Sequence, residues 1–153
     1  MRLLTFILTC LSFSVFAQPV ASRIFAHNDY EKPEPFVKAY GLQVGYIEAD
    51  IFLMEDELLV AHTPQELDKS KTIDVLYLKP LQAAIIKNGN KAYANGETLS
   101  LMIDLKTEGI QTLQTLVKKL ETYPELKNCQ SLRITISGNV PDPATWSEFP
   151  SYI

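Results

Sequence analysis

Cysteine is nearly missing from this chain: 153 residues hold two, Cys10 and Cys129. Cys10 lies in an amino-terminal apolar run that is expected to be removed, which leaves Cys129 alone and excludes an intrachain disulfide, so stability must come from a packed core or a bound ion. Basic clusters are absent as well. Fourteen Lys and Arg stand against eighteen Asp and Glu, for a formal net charge of -4. An acidic chain without a basic stripe argues against nucleic acid or an anionic membrane surface as its main partner. Low-complexity runs, heptads and internal repeats are missing, while 46% hydrophobic residues is ordinary for a globular domain.

No apolar stretch is long enough to serve as an integral membrane segment. Residues 3–16 are almost wholly apolar, but a spanning helix needs about 20 such residues, and Gln18-Pro19 intervenes. Arg2 before this run and the small residues of Val15-Phe16-Ala17 at its end have the form of a secretory signal. The expectation is a signal peptide over 1–17, cleavage after Ala17, a mature domain over 18–153, and a secreted or periplasmic location.

What is present is an alternation of strands and helices. Residues 23–27 read as a short strand ending at His27, and 34–41 as a helix opened by Pro35 and stopped by Gly41. Residues 45–51 form the next strand, Glu55-Asp56-Glu57 a turn, and 58–62 a strand ending at His62. A helix over 79–89 follows, again opened by a proline, then a strand over 99–106. Ile110, Leu113, Leu116, Val117 and Leu120 recur at helical spacing. Residues 132–137 are the last clear strand, and a further helix begins near 144–149. Such alternation implies an α/β fold with a parallel sheet, of the (β/α) TIM-barrel type. A full barrel takes about 250 residues, so the expectation is the first half of one, a truncated chain with an unclosed and self-associating sheet edge.

Chemistry gathers where such strands end. In Gly45-Tyr46-Ile47-Glu48-Ala49-Asp50-Ile51 the side chains alternate, so Glu48 and Asp50 share a face opposite Ile47, Ala49 and Ile51. Two carboxylates beside an apolar run need a compensating partner, and a divalent cation, Ca or Mg, suits such hard oxygens. The plainer alternative is a half-buried edge strand with two solvated acids. Asp104 and Lys106 share the polar face of the 99–106 strand, where Asp104 could complete the metal site and Lys106 could meet a phosphate, or the two could form a mutual salt bridge. His27 and His62 are the only histidines. A pair of imidazoles can open a phosphodiester, one taking a proton from the attacking hydroxyl and the other returning one to the leaving alkoxide.

Ala26-His27-Asn28-Asp29-Tyr30, Ile47-Glu48-Ala49-Asp50-Ile51, Leu59-Val60-Ala61-His62 and Met102-Ile103-Asp104-Leu105-Lys106 together resemble the amino-terminal half of the glycerophosphodiester phosphodiesterase family. That family shares a barrel superfamily with phosphatidylinositol-specific phospholipase C. Tyr77-Leu78-Lys79-Pro80-Leu81 is similar to segments of secreted bacterial members. The resemblance implies His27 and His62 as acid/base pair, Glu48, Asp50 and Asp104 as ligands of a divalent cation, and Lys106 facing the phosphate of a small phosphodiester or phospholipid headgroup. The chain departs from the family where Asn28-Asp29 replaces Arg-Gly after the first histidine, Thr63 replaces an Asp after the second, and Asp104 replaces a Glu. Asn28 then stands where a phosphate contact belongs, with Arg133 the candidate stand-in for the missing arginine. Two rival readings are a metal-independent lyase of the phospholipase C type and an inactive fragment or binding protein.

Overall fold

The computed structural model describes residues 20–153; the expected signal peptide over 1–17, its cleavage point and Cys10 lie outside the described residues. A mixed α/β fold is built on one five-stranded sheet. Its strands are β1 (Phe25–Ala26), β2 (Tyr46–Met54), β3 (Glu57–Val60), β4 (Leu99–Leu105) and β5 (Leu132–Gly138). They lie in the order β1-β2-β4-β5, with β3 pairing β2. The β1–β2, β2–β4 and β4–β5 pairs are parallel. Among the described residues four α-helices accompany them: α1 (Val37–Gly41), α2 (Lys79–Lys87), α3 (Gly109–Leu120) and α4 (Pro124–Lys127).

The strands form because they can bury both faces, as parallel strands do. Ile47, Ala49 and Ile51 of β2 and Leu101 and Ile103 of β4 are wholly buried, joined by Leu105 and by Ile134 of β5. Leu113, Leu116 and Leu120 of α3 are buried as well, as their spacing predicts. Beside them Phe36, Tyr40 and Tyr93 stack in series, and Tyr77 meets Phe36 edge to face. Cys129 is free and buried.

Several elements differ from the sequence expectation. The strand over 58–62 does not run parallel to the others. It returns from β2 through Glu55-Asp56 as an antiparallel hairpin, with Ile51 opposite Val60 and Met54 opposite Glu57. A two-residue connection cannot reverse the chain twice, as a parallel neighbour would require. The first strand is confined to Phe25–Ala26, because Val20–Arg23 forms a 3₁₀ turn. The helix expected over 34–41 begins only at Val37: Phe36 takes a positive φ of 64° while its N–H binds Asp29. α2 starts at Lys79 with Pro80 in its first turn, as the sequence predicts, but a π-helical turn over Asp74–Leu78 runs straight into it. Wider i→i+5 geometry relieves the clash a proline makes with an α-helical turn before it. The last segment is a 3₁₀ helix, Pro143–Glu148.

Strand register sets the polar rows. Asp50 lies beside Asp104 and Asp104 beside Ser137; one pleat earlier, Glu48 lies beside Met102 and Met102 beside Thr135. Arg133 falls in the row of Ser100 and Tyr46, four residues and about 13 Å before the Asp50 row. It sits at the wrong end of the strands to replace the missing arginine.

Gly138 closes β5 beside this row. Its φ is +77°, and a Cβ there would fall 2.5 Å from the Leu105 carbonyl oxygen and 2.9 Å from both Asp104 carboxylate oxygens. Gly138→Ala is expected to lower unfolding free energy by about 1–3 kcal/mol in urea titrations. Gly41→Ala, at a helix end with nothing within 4 Å of the added carbon, is expected to be neutral or to add up to about 1 kcal/mol.

Candidate active site

Asp50 is the centre of the polar row. Only 1% of it is exposed, so its charge needs partners within the protein. Lys106 Nζ lies 3.0 Å from Asp50 Oδ2 and 2.6 Å from Asp104 Oδ2. The Tyr30 hydroxyl donates to Asp50 Oδ2 at 2.8 Å, and His62 Nδ1 lies 3.4 Å from the same oxygen. Asp50 Oδ1 is buried with no hydrogen-bond partner. Burial acts to raise the Asp50 pKa, but the Glu48 carboxyl, the Lys106 ammonium and the Tyr30 hydroxyl outweigh it and hold the group below the usual aspartate value.

Glu48 sits beside Asp50 and is 5% exposed. It accepts the Asn28 main-chain N–H at 2.6 Å. Burial and the neighbouring Asp50 carboxyl push it up to about 7, against the Asn28 N–H and the His27 ring, which favour its charged form. The two acids thus divide their roles: Asp50 holds the charge, and Glu48 holds a proton until near neutrality. Asp104 also accepts the Ser137 hydroxyl at 2.6 Å. Burial works against the charged Lys106, but its two carboxylate partners, Asp104 first, prevail and raise it.

The loop after β1 brings in the rest. Asn28 adopts a left-handed conformation, φ 47° and ψ 46°, which asparagine tolerates better than most residues. That twist turns its N–H toward Glu48, so Asn28 reaches the acids through its main chain. Asp29 is buried, and its Oδ2 accepts both the Phe36 N–H and the Tyr77 hydroxyl, at 2.5 and 3.1 Å. This pins the loop to the helical segment over 74–87 and holds Tyr30 against the sheet. Tyr30 Oη then spans 3.2 Å to His62 Nδ1. Both histidines are exposed at the rim. His62 gets there because the β2–β3 hairpin doubles back, with a 3₁₀ turn and a Thr63/Glu66 capping box fixing its exit.

Sequence reasoning gathered His27, Glu48, Asp50, His62, Asp104 and Lys106, and the structure brings all six to one end of the sheet. The mutual Asp104–Lys106 ion pair is also present, extended to Asp50. Tyr30 and Ser137 went without a role. Strand register is what brings Ser137 to Asp104. Among the described residues no group of three or more His, Cys, Asp and Glu side chains is arranged to hold a metal ion. Glu48 and Asp50 could offer two oxygens, whereas Asp104 is engaged by Lys106 and Ser137.

Comparison with known proteins places this geometry in a family. Residues 13–132 match the AIM6-like phosphodiesterase domain. An Altered inheritance of mitochondria protein 6 homolog of Arthroderma benhamiae is 30% identical over 80% of this chain and 45% of its own length. The Altered inheritance of mitochondria protein 6 of Eremothecium gossypii is 33% identical over 58% of this chain and 26% of its own. That of Kluyveromyces lactis is 26% identical over 80% and 39%. The chain therefore spans less than half the length of these curated relatives. No solved structure matches it. The resemblance read from the sequence holds at the level of a phosphodiesterase-type domain. The expected secreted or periplasmic location is overturned, because the matched relatives are fungal proteins named for mitochondrial inheritance and not for export. Among the described residues no helix is long and apolar enough to cross a membrane.

The raised Glu48 pKa has a signed consequence. Between about pH 4.5, its ordinary value, and about 7, the folded chain holds a proton that the unfolded chain has lost, so stability falls as pH rises through that window. Asp50, lowered from 3.8, acts oppositely and only at more acid pH. Urea midpoints measured without added divalent cation are expected to fall from pH 4.5 to 7, and Glu48→Gln to flatten that slope.

Proposed function

The chain belongs to the AIM6-like phosphodiesterase domain family, and from that premise we propose that it is a phosphoric diester hydrolase acting on a glycerophosphodiester or a related phospholipid-derived substrate. In this reading the sheet is the first half of a (β/α) barrel whose mouth is the active site. The observation that carries it is the exposed His62 ring against the buried Asp50, with His27 following β1 in the loop whose Asn28 N–H binds Glu48. One histidine takes the proton from the attacking hydroxyl, and the other gives a proton to the leaving alkoxide. Lys106, paired with Asp50 and Asp104, supplies positive charge to the phosphate, and Asn28 borders the same space.

A divalent cation, Ca or Mg, would be held by Glu48 and Asp50; Asp104, the third acid expected from the sequence, would join them only on release from Lys106 and Ser137. The unpartnered Asp50 Oδ1 is the feature that fits it. When bound, such an ion neutralises charge on the phosphoryl oxygens. A second reading, a metal-independent lyase that leaves a cyclic phosphate, is favoured by Lys106, which already bridges Asp50 and Asp104 and could carry that charge itself.

A model phosphodiester is expected to be hydrolysed in a reaction that EDTA abolishes and Ca or Mg restores. His27→Ala and His62→Ala should each lower the rate by about 10²- to 10⁴-fold. Undiminished rates in both variants would remove the proposed roles. A cyclic product formed equally well in EDTA would select the lyase.

A further inference from the structure

Tyr30 belongs to neither the acid pair nor the histidine pair, yet its hydroxyl touches one member of each. It has a single proton and two possible acceptors. Asp50 Oδ2, at 2.8 Å, is the shorter contact and the ionised one, and a carboxylate is the stronger acceptor. His62 Nδ1 lies 3.2 Å from the same hydroxyl oxygen and 3.4 Å from Asp50 Oδ2. With the phenolic proton directed to Asp50, both atoms facing Nδ1 are acceptors, and the ring satisfies them only by carrying its own proton on Nδ1. The lone pair then lies on Nε2, on the exposed side of the ring.

We propose that Tyr30 is a positioning residue that, with Asp50, fixes His62 as the Nδ1–H tautomer, making His62 the general base and leaving His27 as the general acid. This rests on the phosphodiesterase reading for the two roles, but not for the tautomer. In the step so assigned, His62 Nε2 takes the proton of the attacking hydroxyl while its oxygen bonds to phosphorus. The P–O bond to the leaving group breaks, and His27 protonates the departing alkoxide. Asp50 beside Nδ1 stabilises the imidazolium as it forms. Asp29 supports the device from behind, since its bonds to Phe36 and Tyr77 hold the loop on which Tyr30 sits.

The test is ¹⁵N NMR of the His62 ring in the whole chain, at a pH that keeps the ring neutral, together with steady-state kinetics on a model phosphodiester. The wild-type chain should show His62 as Nδ1–H; Tyr30→Phe removes the nearer acceptor and leaves Asp50 alone at 3.4 Å, so the ring should gain a measurable Nε2–H fraction. In the same variant kcat should fall by about 10- to 100-fold with KM changed less than about twofold, since the tyrosine is not placed against the substrate. A wild-type Nε2–H ring overturns the proposal whether or not the variant folds, as does a folded Tyr30→Phe whose tautomer fractions and kcat both equal those of the wild type. Nδ1–H in the wild type, less populated in Tyr30→Phe, with no diester hydrolysis by the wild type, would leave the tautomer assignment standing and sink the phosphodiesterase reading instead.

Discussion

A carboxylate at 1% exposure is the constraint around which this end of the molecule is arranged. Asp50 lies on the central stretch of β2, beside the parallel β4 and between the residues that pair β1 and those that pair the antiparallel β3, and is almost wholly shielded from water. Its charge is tolerated because an ammonium, a phenol and a protonated neighbour converge on it: Lys106 from the end of β4, Tyr30 from the loop after β1, and Glu48 from its own strand. Each comes from a different part of the chain, so satisfying one carboxylate also fixes the relative placement of three elements. A buried ion pair of this kind adds little net stability and is costly to break. What it supplies here is geometry, and the catalytic reading depends on that geometry.

The hairpin is the second device. A strand that simply continued the parallel alternation would carry His62 away across a helical crossover. By returning antiparallel through Glu55-Asp56, the chain brings His62 back to Asp50 within a dozen residues. The opposite edge of the row is closed by Ser137 and Gly138 of β5, where the absence of a side chain at Gly138 leaves room for the Asp104 carboxylate. The fold therefore makes the site from both flanks of β2, with the acids in the middle and the imidazoles on one rim.

Much of this was legible in the sequence because alternation is a local property. Glu48 with Asp50, and Asp104 with Lys106, share faces by spacing alone, and the apolar residues between them mark the opposite face. Strand direction is not local in that sense. The two-residue turn at Glu55-Asp56 was the available clue to the hairpin, since a parallel crossover needs about a dozen residues or more. Arg133 looked useful as the nearest arginine on a polar face, but register places it four residues too early. Tyr30 could not be found by periodicity at all: it lies on a loop whose path depends on a left-handed Asn28 and a buried Asp29. Pro80 signalled a helix start that tertiary packing extended backwards through a π turn.

The central claim is that Asp50 and Lys106 act as one unit, and a double-mutant cycle measures it directly. Asp50→Asn, Lys106→Met and the double variant would be unfolded in urea at neutral pH. The account predicts that the double variant loses less than the sum of the two single variants, with a coupling above about 1 kcal/mol, because each single change strands a buried partner. Strictly additive losses would show that the two residues are independent, and the arrangement built on Asp50 would not hold.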